Sequence, residues 1–190
     1  VSINFSNDDL KRIIETKPVG NFYPYNIKEY NHDAVNEYIS KVVGSLASVN
    51  NINHEADFRS YGSGYASYVS IFCWKKNGSS SKEQEGVLYI DGIRIYVCRV
   101  TPVAVIGKGQ VTKHARGGSS DYIESNKVDV LPSGDWNQEV WGIRDVLESY
   151  NFTVLDRNFV NQPFPFEAKI PTILAEEPYK LFDAFFYWED

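Results

Sequence analysis

Gly86-Val87-Leu88-Tyr89-Ile90-Asp91-Gly92-Ile93-Arg94-Ile95-Tyr96-Val97-Cys98-Arg99-Val100 is the stretch on which the fold turns. Residues from Gly86 to Ile90 and from Ile93 to Val100 alternate and are rich in β-branched and aromatic side chains, so both read as strands. Asp91-Gly92 between them reads as a two-residue type I′ turn, which needs positive φ at both positions. That turn sets Ile90 against Ile93 and Leu88 against Ile95 on an aliphatic face. Tyr89 then opposes Arg94, and Val87 opposes Tyr96, on the other. Upstream, Tyr65 to Trp74 is a further strand, with Val69, Ile71 and Cys73 on one side and Tyr68, Phe72 and Trp74 on the other. The expected core is therefore a β-meander with one aliphatic face and one face rich in rings.

Working outward, a polar loop is expected from Asn77 to Gln84, a short fourth strand from Val103 to Ile106, and irregular chain from Gly107 to Asp121. Ser6 with Asp9 three residues on marks the start of a first helix, whose apolar side is Leu10, Ile13 and Ile14. A second helix begins near Asn31 to Asp33. Its stripe of Val35, Tyr38, Ile39, Val42, Val43 and Leu46 keeps the 3.6-residue period of an amphipathic helix. A third starts around Asp135, with Gln138 at capping-box spacing and Trp136, Val140, Ile143, Leu147 and Tyr150 along one side. Phe152 to Leu155 and one or two segments of the carboxyl end read as strands. Residues 1–190 are thus expected to form a single α+β domain. Its sheet is mainly antiparallel, with a central β-meander, two N-terminal helices, a third helix before the C-terminal strands, and helices over one sheet face.

The charge balance narrows the partners. The chain carries a formal −6. Residues 119–190 hold five basic side chains (Lys127, Arg144, Arg157, Lys169, Lys180) against fourteen acidic ones. Such a field repels nucleic-acid phosphates and anionic lipid, and it either favours a basic protein partner or simply keeps the protein soluble. No run reaches the ~18 apolar residues of a membrane span, and no apolar leader region opens the chain. Cys73 and Cys98 each lie in an apolar strand and read as small buried thiols, which points to a cytoplasmic setting.

Candidate chemistry is sparse. His32, His54 and His114 show no metal-ligand spacing, and His54-Glu55-Ala56-Asp57 is a cluster common on loops. Gly62-Ser63-Gly64 lacks the context of a nucleophile elbow. The run from Gly107 to Gly118 is rich in glycine and cations, as anion cradles are, but lacks the Walker order. Asp156 at a strand end, with Glu167 and Lys169 sharing one face of another strand, resembles the Asp…Glu-x-Lys pattern of restriction-endonuclease-like enzymes. There, two carboxylates hold a divalent cation while the lysine orients water. This metal-dependent enzyme, or one that binds phosphate, is the alternative reading; a homo-oligomeric structural subunit is another.

The carboxyl end carries the leading reading. Leu181-Phe182-Asp183-Ala184-Phe185-Phe186-Tyr187-Trp188-Glu189-Asp190 is expected to be a strand built into the core and ending in an acidic rim. Glu176, Glu177, Tyr179, Asp183, Tyr187, Trp188, Glu189 and Asp190 are its candidate partner-binding residues. Rings would supply contact area and carboxylates would supply steering. Asp183, a carboxylate on a face of rings, needs either an internal partner such as Arg94 or Arg99 or an incoming cation. This ending, with Ile170-Pro171-Thr172-Ile173 before it, resembles a signature of small bacterial proteins. The acidic, Tyr- and Trp-rich chain as a whole is similar to bacterial immunity proteins of polymorphic or contact-dependent toxin systems. The resemblance implies a cytoplasmic protein without catalytic residues, metal or cofactor. Its partner would be a cognate toxin or another basic protein, rather than nucleic acid or membrane, with a homodimer as the further option.

Overall fold

The computed structural model describes residues 4–59 and 64–190; Gly62 and Ser63, noted above for their motif, lie outside the described residues. The chain is an α+β fold built on one large, mainly antiparallel sheet. Helix α1 (Asn7–Ile14) carries the expected capping box between Ser6 and Asp9. Helix α2 (His32–Ser45) is capped by Asn31, whose side chain accepts from the amide of Ala34. Strands β1 (Ile52–Asp57), β2 (Tyr65–Ala66), β3 (Tyr68–Lys75), β4 (Ser81–Gln84), β5 (Val87–Cys98), β6 (Val103–His114) and β7 (Gly117–Ser120) follow. Helix α3 (Asn137–Ser149), strand β8 (Thr153–Val154), helices α4 (Arg157–Val160) and α5 (Leu181–Phe185), and strand β9 (Trp188–Glu189) complete the order. The main sheet runs β1-β3-β5-β6-β7, with β4 beside β5 and β8 parallel to β6; β2 and β9 form a separate pair. Among the described residues, no helix is long and apolar enough to cross a membrane.

Asp91-Gly92 is not a turn. β5 passes straight through it, pairing Ile93, Arg94 and Ile95 with Cys73, Phe72 and Ile71 of β3. On its other side, Gly92 sits directly opposite Gly109 of β6. The reason is packing. A Cβ on Gly92 would fall 2.7 Å from the Phe72 ring, and one on Gly109 2.9 Å from Arg94 Cβ and 3.3 Å from the same ring. The paired glycines form a flat floor under Phe72, a close approach that glycine permits inside a strand. The two-residue turn is instead Glu85-Gly86, with φ of 52° and 75°, and it joins β4 to β5. The segment expected to be a polar loop thus ends in a strand.

Two further segments differ from the sequence reading. β6 does not stop at Ile106: it runs to His114 and returns as β7, so most of the supposed irregular stretch is a hairpin. The carboxyl end is helical at Leu181–Phe185 rather than extended. Leu181, Phe182, Phe185 and Phe186 bury together, a spacing suited to a helix turn. The expected strand from Tyr65 to Trp74 also breaks at Ser67, whose amide and hydroxyl bond to Tyr187 O and so route β2 towards β9. The third helix begins one turn-step later than expected; Asp135 Oδ1 accepts from the amide of Asn137, and no capping box forms.

The two-faced sheet is as the alternation requires. Val69, Ile71, Ile93, Ile95, Val97 and Ile106 pack under Val35, Ile39 and Val42 of α2 and Val140, Ile143 and Leu147 of α3. Helices cover more than this one face. On the ring face, Tyr68, Tyr96, Cys98 and Val105 lie beneath Leu10 and Ile13 of α1 and Phe182, Phe185 and Phe186 of α5. A buried ion pair, Lys75 to Glu139 at 3.4 Å, ties β3 to α3, with the ammonium 4.7 Å from the centre of the Trp136 ring.

Candidate functional site

Among the described residues the ring face is covered at only one end. At the other, Ser70 and Phe72 of β3, Arg94 of β5 and Val111 of β6 form the base of an open cleft of about 530 Å³. Its walls come from β1 (Glu55, Asp57) and from β7 (Ser119, Ser120). β1 and β7 are the two ends of the strand order, so the sheet must curl for both to line one cleft. Register fixes the floor. Glu55 pairs with Phe72, and Phe72 with Arg94, so the three form one row across adjacent strands.

Arg94 is 5% exposed. Its guanidinium lies 4.9 Å from the centre of the Phe72 ring. One terminal nitrogen donates to Ser70 Oγ at 3.2 Å; the other donates to Ser120 Oγ at 2.6 Å and reaches Asp121 Oδ1 only at 3.5 Å. That same oxygen accepts a shorter bond, 2.8 Å, from the amide of Gln110. Arg94 Nε is buried and finds no acceptor among the described residues. A buried cation normally has a close counter-ion and a full set of acceptors. Arg94 has two neutral hydroxyls and a distant, shared carboxylate. On the facing wall, Asp57 is engaged by Arg59 at 3.2 Å, whereas the exposed Glu55 makes no ion pair among the described residues. Lys113 lies over Trp74 at 5.8 Å, at the cleft's rim.

The residues singled out from sequence fall elsewhere. Tyr187 is fully buried, and its hydroxyl donates to Ile13 O and meets Thr16 Oγ1 at 2.7 Å, so it belongs to the core and not to a contact surface. Asp183 pairs with neither Arg94 nor Arg99: its Oδ2 accepts from the amide of Lys180 at 2.8 Å, at the start of α5, and burial raises its pKa. Tyr179 and Trp188 are half-buried. Glu176, Glu177, Glu189 and Asp190 are exposed and make no ion pair among the described residues. Beside them Ile173 and Leu174, which were not among the expected contact residues, are 57% and 43% exposed; the Ile173 amide donates to Trp188 O and so joins the two segments.

Asp156 does not end a strand as a free carboxylate. It caps α4 by accepting from the amide of Phe159 at 2.8 Å. Glu167 and Lys169 lie on irregular chain, so the shared strand face expected of them is missing. In β1 the alternation sends His54 to the helix side and Glu55 and Asp57 to the cleft. Among the described residues, no three potential metal ligands converge. Lys108 and Lys113 lie an odd number of residues apart on β6 and so take opposite faces, which separates the cations of the glycine-rich run. Cys73 and Cys98 are buried in different clusters on opposite sheet faces, and burial pushes the thiols up to about 12 and about 11. Comparison of the chain with family models, with curated proteins and with solved structures gives no match.

Proposed function

We propose that this chain is a non-enzymatic protein-binding module, an immunity-type inhibitor that holds a basic toxin domain in the bacterial cytoplasm. The observation that carries the reading is the carboxyl-terminal rim, where exposed Ile173 and Leu174 lie near Glu176, Glu177, Glu189 and Asp190, carboxylates that make no ion pair among the described residues. An apolar centre with charges at its edge is the common anatomy of a protein interface, and clustered like charge steers a partner of opposite sign. The contact residues are therefore the four acids with Ile173, Leu174 and the exposed part of Trp188. Phe182, Phe185, Phe186 and Tyr187 are buried and belong to the core.

The test is capture of the toxin domain encoded beside this gene. The native chain should retain it, and the triple variant Glu176→Lys, Glu177→Lys, Glu189→Lys should lose it while keeping its melting temperature. Retention by the reversed variant, or capture that does not weaken with added salt, would count against the reading.

A further inference from the structure

Five residues apart in the chain, two buried arginines are treated in opposite ways. Arg99 is 0% exposed, and every arm of its guanidinium is used: Nε on Asn36 Oδ1, one terminal nitrogen on Ala66 O and Tyr68 O, and the other on Phe58 O, at 2.6–3.0 Å. It is a structural clamp. Arg94 has two hydroxyls and a shared carboxylate at 3.5 Å for its terminal nitrogens, an Nε with no acceptor among the described residues, and an open cleft above it. Desolvating a guanidinium without closing its hydrogen bonds costs stability, unless the site is completed by a ligand.

The row Glu55–Phe72–Arg94 says what that ligand carries. Adjacent strands lie ~4.8 Å apart, so the ends of the row are separated by about 10 Å at the backbone, with a phenyl ring between them. Arg94 with the hydroxyls of Ser70 and Ser120 offers a planar fork for a carboxylate. Glu55, which makes no ion pair among the described residues, offers a counter-charge for an ammonium, a group that phosphate lacks. We propose that this cleft binds a small zwitterion, its carboxylate on Arg94, its ammonium towards Glu55, and an apolar linker over Phe72. The inference does not depend on the carboxyl-terminal rim and stands or falls separately from it.

Calorimetric titration of the full chain with ε-aminocaproate, caproate and inorganic phosphate tests it. ε-Aminocaproate should bind about fivefold more tightly than caproate, the worth of one exposed ion pair, and phosphate should give no heat. Arg94→Met should weaken both carboxylates by at least about thirtyfold. Should that variant fail to fold, Glu55→Gln on the exposed edge strand supplies the second arm: it should remove the preference for ε-aminocaproate and leave caproate unchanged. Equal binding of the two carboxylates by the native chain, competition by phosphate, absence of any binding, or insensitivity to both substitutions overturns the proposal.

Discussion

The sheet has a sealed half, where Arg99 meets Asn36 of α2, and an open half on the ring face, where Arg94 faces the cleft. In the sealed half Arg99 is held by the backbone carbonyls of Phe58, Ala66 and Tyr68 and by the side chain of Asn36. In the open half Arg94 rests on Phe72 and reaches mostly hydroxyls. The contrast teaches where to look for function. A fold that can satisfy a buried guanidinium with short bonds does so at one site and leaves the other incomplete, and the incomplete one faces a cleft.

The comparison is broken most directly by removing each cation in turn. Arg99→Met strands three carbonyls, two of them buried, so unfolding in urea should show a loss of about 4–6 kcal/mol, or no folded protein at all. Phe185→Ala tests the covered end of the ring face. Phe185 is fully buried, stacks on Phe159 and tilts against Phe5, and its loss should cost about 3–5 kcal/mol in the same measurement. Arg94→Met should cost less, about 1–2 kcal/mol, because Ser70 and Ser120 line the cleft, which water can reach, and Asp121 keeps the amide of Gln110. Equal losses for the two arginine variants would erase the distinction between clamp and site.

The smallest effect is a pH dependence confined to the sealed half. His32 titrates below its ordinary 6.5, chiefly through desolvation and then through the charge of Arg99. Its Nε2 accepts from Asn36 Nδ2, while Asn36 Oδ1 accepts from Arg99. The folded pKa is depressed, so the unfolded chain binds more protons once the pH drops below about 6.5. The stability due to neutral His32 is complete above that value and is lost as the pH falls through the folded pKa. Thermal melts across this window should decline less steeply in His32→Gln, whereas Arg94→Met should leave the slope unchanged.

Much of this architecture is legible in the chain. The Ser6 box, the α2 stripe and the alternation along β3 and β5 each encode their element within a few residues, because caps and periodicities are local. Asp91-Gly92 misleads because its dipeptide preference is local while its role is not. Glycine is needed there to admit a ring from β3 over a glycine of β6. The carboxyl end misleads differently: a run of almost continuous apolar residues fits a buried strand and a buried helix equally well, and packing against α1 and the sheet chooses between them. Glu85-Gly86, the real turn, lacks the Asp or Asn that flags such turns.

The sequence by itself determined the α+β class, the two-sided sheet and the excess of acid at the carboxyl end, since these rest on periodicity and composition. Only the tertiary structure decided which rings are surface and which are core, and which arginine is spent. Those properties belong to pairs of residues far apart in the chain. Glu55 and Ser120 share a cleft because the sheet curls, and Tyr187 is hidden because Ile13 and Thr16 lie against it.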